Sequence, residues 1–155
     1  MASPLIKRFG HWLGTWRGIY ELDDGQSGVL EITLSPHFNG RMFEVAARMW
    51  HKDTGELRTL GTGFWSLNQS GRIENVMWAG NMGFCHLEET PDDPEVLAME
   101  GSLAGNLTFS VSFRTEDDAL LMSSGIGEGY AISSKPRTYS RMYRLGMAPP
   151  EVEHE

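Results

Sequence analysis

The sequence predicts an all-β protein, a ten-stranded antiparallel up-and-down β-barrel in which a short N-terminal helix caps one end. The chain has 18 glycines in 155 residues and few helix-forming runs, which is typical of a turn-rich β protein. Ten short segments follow one another with only turn-length breaks, and short connections favour antiparallel neighbours. An open sheet of ten strands would leave two exposed edges, and closure into a barrel removes them.

The N-terminal segment departs from the strand pattern. Ser3 is a suitable N-cap, and Pro4 then takes the first helical position, where its missing N–H costs nothing. Gly14 stands where a C-terminal cap is expected. The apolar residues between them recur at helical spacing and are Leu5, Ile6, Phe9, Trp12 and Leu13. We therefore expect a short amphipathic helix whose apolar stripe covers one end of the barrel.

The predicted strands span residues 15–22, 28–36, 41–51, 56–67, 72–79, 82–89, 95–103, 106–115, 119–125 and 137–145. The breaks between them are rich in Gly, Asp, Asn and Pro, which are the usual turn residues. Residues 126–135 are expected to form a loop. The Gly-x-Gly-x-Gly run at 125–129 lacks the strand–helix context of a dinucleotide site and indicates a flexible lid. We expect one domain over 1–145 and a disordered acidic tail over 146–155.

Charge and composition exclude several classes of function. The formal net charge of −8 repels phosphate backbones and anionic lipids, so neither a nucleic acid nor a membrane is an expected partner. Cys85 is the single cysteine, so no intrachain disulfide can form, which suits the cytoplasm. No apolar run reaches the roughly 20 residues that cross a bilayer, and residues 1–14 lack a signal-peptide pattern. We expect a cytoplasmic protein, and the sequence leaves a homodimer open.

The run Gly14-Thr15-Trp16 opens the first strand directly after the helix. This Gly-x-Trp resembles the start of calycin barrels, the lipocalins and their relatives, in which a basic residue of the last strand lies across the Trp. Arg144 is the counterpart that this resemblance implies, or Arg141 on the opposite face. Over roughly residues 10–145 the chain is also similar to the nitrobindin family and related bacterial fatty-acid-binding-like barrels, through the stretches 13–18, 40–50, 61–65 and 71–83.

Nitrobindins bind haem through a His at the start of the final strand, and the resemblance places that position at about Arg137. Residues 135–145 contain no His, and an Arg is always protonated and cannot ligate iron. The resemblance therefore implies the barrel, whereas the residues argue against the haem. A haem protein with a substitute ligand such as His86 remains an alternative.

A barrel of this size often encloses room for a ligand, and we expect a small, largely apolar or aromatic molecule inside it. Gly61 and Gly63 share a strand face, where they leave open volume or allow a bend. Methionines recur in the predicted strands; they suit the wall of an apolar site and are equally ordinary core fillers. The candidate ligand-binding residues are Trp50, Thr59, Trp78, Met77, His86, Arg48 and Arg137.

Two side chains are candidates for acid–base chemistry. His86 shares a strand face with Glu88, but no further His or Cys completes a metal site, so no metal is expected. Glu44 shares a face with Arg48 and Trp50, and this trio can hold a polar group of a ligand. The main hypothesis is a binding protein. The alternative is a cofactor-independent isomerase, cyclase or lyase that uses His86 or Glu44.

Overall fold

The structure is a computed structural model that describes residues 2–80, 83–90, 93, 95–103, 107–128 and 137–146. Helix α1 spans Pro4–Phe9 and is followed by a 3-10 turn at Gly10–Trp12. The strands are β1 Gly14–Leu22, β2 Ser27–His37, β3 Met42–His51, β4 Leu57–Leu67, β5 Ile73–Ala79, β6 Gly83–Glu89, β7 Val96–Leu103, β8 Leu107–Glu116, β9 Ala119–Glu128 and β10 Thr138–Arg144. Within the described ranges, no helix has the length and hydropathy needed to cross a bilayer.

The ten strands form a closed antiparallel barrel. Each strand pairs with the next one along the chain, and β10 pairs with β1, so that Trp16 lies opposite Arg144 and Leu22 opposite Thr138. The predicted fold class is confirmed. Most strands begin and end within a residue of the predicted positions, because the turn residues between them are local signals.

The end of β9 differs from the prediction. The run beginning at Gly125 was expected to be a flexible loop, but it continues β9 to Glu128. In this segment Gly125 lies opposite Ser110, and Gly127 lies opposite Thr108. Pairing with β8 therefore outweighs the low strand preference of glycine, and the lid prediction is wrong for residues 125–128. Residues 129–135 of the predicted loop and residues 147–155 of the predicted tail lie outside the described residues.

Helix α1 begins as predicted but ends earlier. The Ser3 hydroxyl oxygen accepts a hydrogen bond from the Ile6 N–H at 3.1 Å and donates one to the Gly40 carbonyl oxygen at 2.6 Å. The helix stops at Phe9, so Gly14 is the first residue of β1 and not a helix cap. Its φ of +116° is a conformation that glycine tolerates and other residues avoid.

The apolar stripe of the N-terminal segment closes one end of the barrel. Leu5, Phe9 and Trp12 are buried. The Trp12 indole N–H donates to the Thr115 hydroxyl at 2.8 Å, and its ring lies 6.4 Å from the Trp65 ring, centroid to centroid. We call this end, where β1 begins and β4 finishes, the helix end. The opposite end, where β1 finishes and β4 begins, is the distal end.

Arg144 fastens the helical segment to the first strand. Its guanidinium lies 4.2 Å from the centroid of the Trp16 ring, and it donates hydrogen bonds to the main-chain oxygens of Leu13 and His11. Arg141 faces outward and pairs with Glu116. Of the two basic residues considered from the sequence, Arg144 is therefore the one that lies across the tryptophan. This contact combines a cation–π interaction with capping of exposed carbonyl groups.

Glu89 makes a second connection between the helix and the barrel. Its carboxylate, 8% exposed, accepts hydrogen bonds from the Arg8 guanidinium at 3.1 and 2.5 Å and from the Ile73 N–H at 3.2 Å. Burial raises the pKa of Glu89, but the hydrogen bonds from Arg8 and Ile73 outweigh it, so the net pKa lies below its usual value of 4.5. The ionised carboxylate is thus the form that holds the helix in place.

Candidate functional site

The barrel interior contains a cavity of about 220 Å³ that is not filled by side chains. Its wall is mostly apolar and includes Leu22, Leu30, Ile32, Val45, Ala47, Met49, Met77, Phe109, Val111, Phe113, Met122 and Ile126. Its polar groups belong to Arg58, Thr59, Trp65, Asn75, Ser124 and Thr138. A cavity of about 150 Å³ with apolar walls already accepts benzene, so this one has room for one or two fused rings.

Small inward-facing residues leave this space open. Ala47, Gly61 and Ala79 lie on adjacent strands and line the cavity. Towards the helix end the interior is filled instead by large rings, and the Trp65 and Phe113 rings lie 5.5 Å apart, centroid to centroid. The cavity therefore has an aromatic floor facing the helix and extends towards the distal end.

The floor carries two polar groups on neighbouring strands. Trp65 of β4 and Asn75 of β5 lie directly opposite one another in the antiparallel register, and both line the cavity. They are 1% and 3% exposed, and among the described residues neither the Trp65 Nε1 nor the Asn75 Oδ1 has a hydrogen-bond partner. Sequence reasoning missed Asn75. The signal was present in the alternation of β5, because Asn75 shares a face with the apolar Ile73 and Met77.

A β-bulge places a cation at the distal end. Met49 lies opposite Thr59 but Trp50 lies opposite Leu57, so Arg58 is an extra residue in β4. Arg58 lines the cavity, and its guanidinium donates a long hydrogen bond of 3.4 Å to Gln26. The bulge shifts the alternation by one residue, which simple two-residue periodicity cannot predict.

The predicted ligand-binding residues divide between the two faces of the barrel. Thr59 and Met77 line the cavity. Arg48, Trp50 and Trp78 lie on the outer face, and Trp78 is 41% exposed. The expectation that these three face the ligand is therefore corrected. Both β3 and β5 carry apolar side chains on two faces, so periodicity could not decide which face is internal.

The two candidates for acid–base chemistry also lie on the outer wall. His86 is exposed, and its Nε2 lies 3.1 Å from the Glu74 carboxylate. Glu44 faces outward from β3, with its carboxylate 3.8 Å from the His37 ring nitrogen. Glu88, which shares the face of His86, pairs with an outer-wall arginine. Neither candidate is brought to the cavity.

Arg137, at the position of the haem-ligating His implied by the resemblance, is held on the outside of the barrel. Its Nε donates to the Ser123 hydroxyl at 3.0 Å, and its main-chain N–H donates to the Asp23 carboxylate at 3.2 Å. It does not line the cavity. Arg137 thus joins β9, β10 and the turn after β1 at the distal end.

The described residues do not fit a haem held by a proximal histidine. No His lies among the cavity-lining residues, whose sulfur atoms come from Met49, Met77 and Met122. Over the same ranges, no group of three or more His, Cys, Asp or Glu side chains is placed to hold a metal ion. Cys85 is buried in the core without lining the cavity, and burial raises the pKa of its thiol.

The barrel is similar to that of Rv2717c from M. tuberculosis. The two structures superpose with a TM-score of 0.75 over 94% of this chain and 100% of Rv2717c, at 16% sequence identity. A redesigned β-barrel, b11L5F_LGL, gives a TM-score of 0.54 at 12% identity over 93% of this chain and 100% of its own. EF1p2_mFAP2b bound to DFHBI gives 0.52 at 12% identity over 91% and 99%. No family model and no curated protein matches the sequence. At these identities the likeness shows the fold alone.

Proposed function

We propose that this protein binds a small, flat, largely apolar molecule in the barrel cavity. The observation that carries the proposal is the unfilled volume of about 220 Å³ between apolar walls. Protein interiors are normally close-packed, so side chains that leave a space of this volume forgo contacts that a filled interior would make. An apolar occupant would supply these contacts, which supports a guest in this cavity.

The chemistry of the wall supports an apolar or aromatic guest. Three methionines supply flexible thioether contacts, and Phe109 and Phe113 supply aromatic surface. Among the described lining residues, Arg58 is the only one with an ionisable side chain. Binding is therefore favoured over acid–base catalysis, for which His86 and Glu44 were the candidates. The similar barrel EF1p2_mFAP2b is bound to DFHBI, which supports the use of such an interior for a small molecule.

Isothermal titration calorimetry of the full chain with 2-methylnaphthalene tests the proposal. Ala47 faces the cavity and Ala46, its neighbour in β3, faces outward. Ala47→Leu should fill part of the cavity and weaken binding about tenfold or more, since the guest must give up the space of three carbon atoms. Ala46→Leu is the matched control and should leave binding unchanged. The proposal fails if the unmodified chain takes up no probe, or if both variants bind it equally well.

Native mass spectrometry provides a second test. The chain purified from its source under non-denaturing conditions should carry an added mass that disappears on denaturation. The same mass should be reduced in protein that carries Ala47→Leu and retained in protein that carries Ala46→Leu. An added mass that is equal in the two variants would place the bound molecule somewhere other than the cavity.

A further inference from the structure

Polar side chains line the cavity at its distal end. Arg58 and Thr59 lie near the start of β4, and Ser124 of β9 lies opposite Thr138, the first residue of β10. Between these residues and the aromatic floor, the described lining side chains are apolar. Ligand sites commonly combine apolar walls with a few polar groups that fix the orientation of the ligand. The polar rim of this cavity therefore favours a guest whose polar group lies at its outer end.

Arg58 brings a positive charge to this rim. Its guanidinium carbon lies 5.8 Å from the centroid of the fully buried Tyr20 ring, and its Nη1 donates a hydrogen bond of 3.4 Å to the exposed Gln26 side chain. The guanidinium thus lies between the barrel interior and the exposed turn after β1. Arg58 is itself half-buried, so a solute at the distal end can reach it.

The contacts of Arg58 leave capacity for an anion. Arg8 and Arg17 each pair with a carboxylate, whereas Arg58 forms no ion pair with any carboxylate in the described part of the chain. A guanidinium has five N–H donors, and the long hydrogen bond to Gln26 uses one of them. A carboxylate is the natural partner, because one cation balances one negative charge and the planar fork can donate two parallel hydrogen bonds to its oxygens.

The spacing along β4 matches a guest of two fused rings. Gly61 lies opposite Ala47 on one side and Ala79 on the other, and these are the small residues that leave the cavity open. Gly61 is three residues from Arg58, about 10 Å along the strand. Rings seated beside Gly61 would therefore bring a carboxylate on their outer edge to the guanidinium.

We propose that the cavity selects a flat apolar molecule that carries a carboxylate at its outer end, of the naphthoate type. The rings lie between the apolar walls beside Gly61, and the Arg58 guanidinium donates hydrogen bonds to the two carboxylate oxygens at the distal rim. This inference rests on the proposed function, because it assumes that a guest enters the cavity. It adds the chemical class of the guest and the direction in which it lies.

The test compares 2-naphthoate with 2-naphthamide, an uncharged analogue of almost the same shape. The measured quantity is the ratio of their affinities for the full chain, determined by calorimetry at neutral pH. Arg58→Gln removes the cation, so it should lower the preference for 2-naphthoate about tenfold. Arg48→Gln is the matched control, because Arg48 is exposed on the outer face of β3 and its loss changes the net charge of −8 by the same amount. This control should leave the ratio unchanged, and an equal fall in both variants would overturn the inference.

A titration of the unmodified chain keeps the test decisive if Arg58→Gln does not fold. The affinity for 2-naphthoate relative to 2-naphthamide should fall as the pH drops through the pKa of the probe's own carboxyl group, because the guanidinium prefers the ionised form. A cavity that accepts only the apolar rings would instead bind the neutral acid more tightly. If 2-methylnaphthalene binds and neither Arg58→Gln nor acid lowers the ratio, the proposed function stands and the carboxylate preference fails. If none of the three probes binds, both fail.

Discussion

Replacing Glu89 by Gln tests how the N-terminal helix is held against the barrel. The Glu89 carboxylate accepts two hydrogen bonds from Arg8 and one from the main chain of Ile73. A Gln side chain has one acceptor oxygen, and its NH₂ group would meet the guanidinium donor to donor. Glu89 Oε1 accepts both the Ile73 N–H and one Arg8 N–H, so a Gln oxygen at that position keeps these two contacts, whereas the hydrogen bond to Oε2 and the ion pair are lost.

The expected loss of stability follows from these contacts. A hydrogen bond to a charged group contributes about 1.5–3 kcal/mol, and the one to Oε2 is lost together with the ion pair. Arg8 is 38% exposed, so water can replace part of what it loses. We expect Glu89→Gln to lower the free energy of unfolding by about 2 kcal/mol, which for a chain of this length lowers the melting temperature by about 4–8 °C.

Denaturant titrations at several pH values provide the assay. Because the folded pKa of Glu89 lies below 4.5, its contribution is fully present above that pH and is lost as the pH falls through the folded pKa. The difference between the two proteins should be constant near neutral pH and shrink below pH 4.5. Glu88→Gln is the control, since the exposed pair of Glu88 and Arg72 contributes little. A Glu89→Gln protein as stable as the Glu88→Gln control would refute the reasoning, as would a difference that persists in strong acid.

Three further predictions concern the packing of the barrel. Gly63→Ala should lower the free energy of unfolding in urea titrations by about 2 kcal/mol or more, because a Cβ there overlaps a main-chain oxygen of the neighbouring strand. Gly61→Ala is the control and should lower this free energy less, because its Cβ would lie 3.3 Å from the nearest oxygen. Arg144→Lys should lower the free energy of unfolding by about 1–2 kcal/mol, since an ammonium cannot both stack on an indole and bridge two carbonyl groups. Arg141→Lys should leave this free energy almost unchanged. Cys85 should react with a thiol reagent only at the rate of unfolding at neutral pH, because burial raises its pKa; rapid labelling of the folded protein would contradict this.

The number of strands and their limits could be predicted because the signals for them are local. Turn residues such as Asp23 and Gly25 mark strand ends within a few positions, and Ser3 caps the helix through a neighbour three residues away. Gly125 shows where this reasoning stops. The glycine-containing run that follows it indicates a loop, and only the pairing with β8 makes residues 126–128 part of a strand.

The direction of the side chains was harder to predict. In β5 both Met77 and Trp78 are hydrophobic, so alternation allowed either to face inward, and the structure places Met77 inside. Arg58 reaches the cavity through a bulge that moves its strand out of simple alternation. The inward Met77 and the bulge at Arg58 account for most of the difference between the predicted and the observed cavity wall.

The sequence alone determined the all-β class, the capping helix, the ten strands and the lack of a histidine at the position where the resembled family ligates haem. These properties depend on residue types and on neighbours close along the chain. Only the tertiary structure decided which strand face is internal, where the barrel stays unfilled, and that Trp65 lies opposite Asn75. The physical reason is that a cavity is the difference between the space a closed barrel encloses and the summed volumes of side chains from every strand, and no local pattern contains that sum.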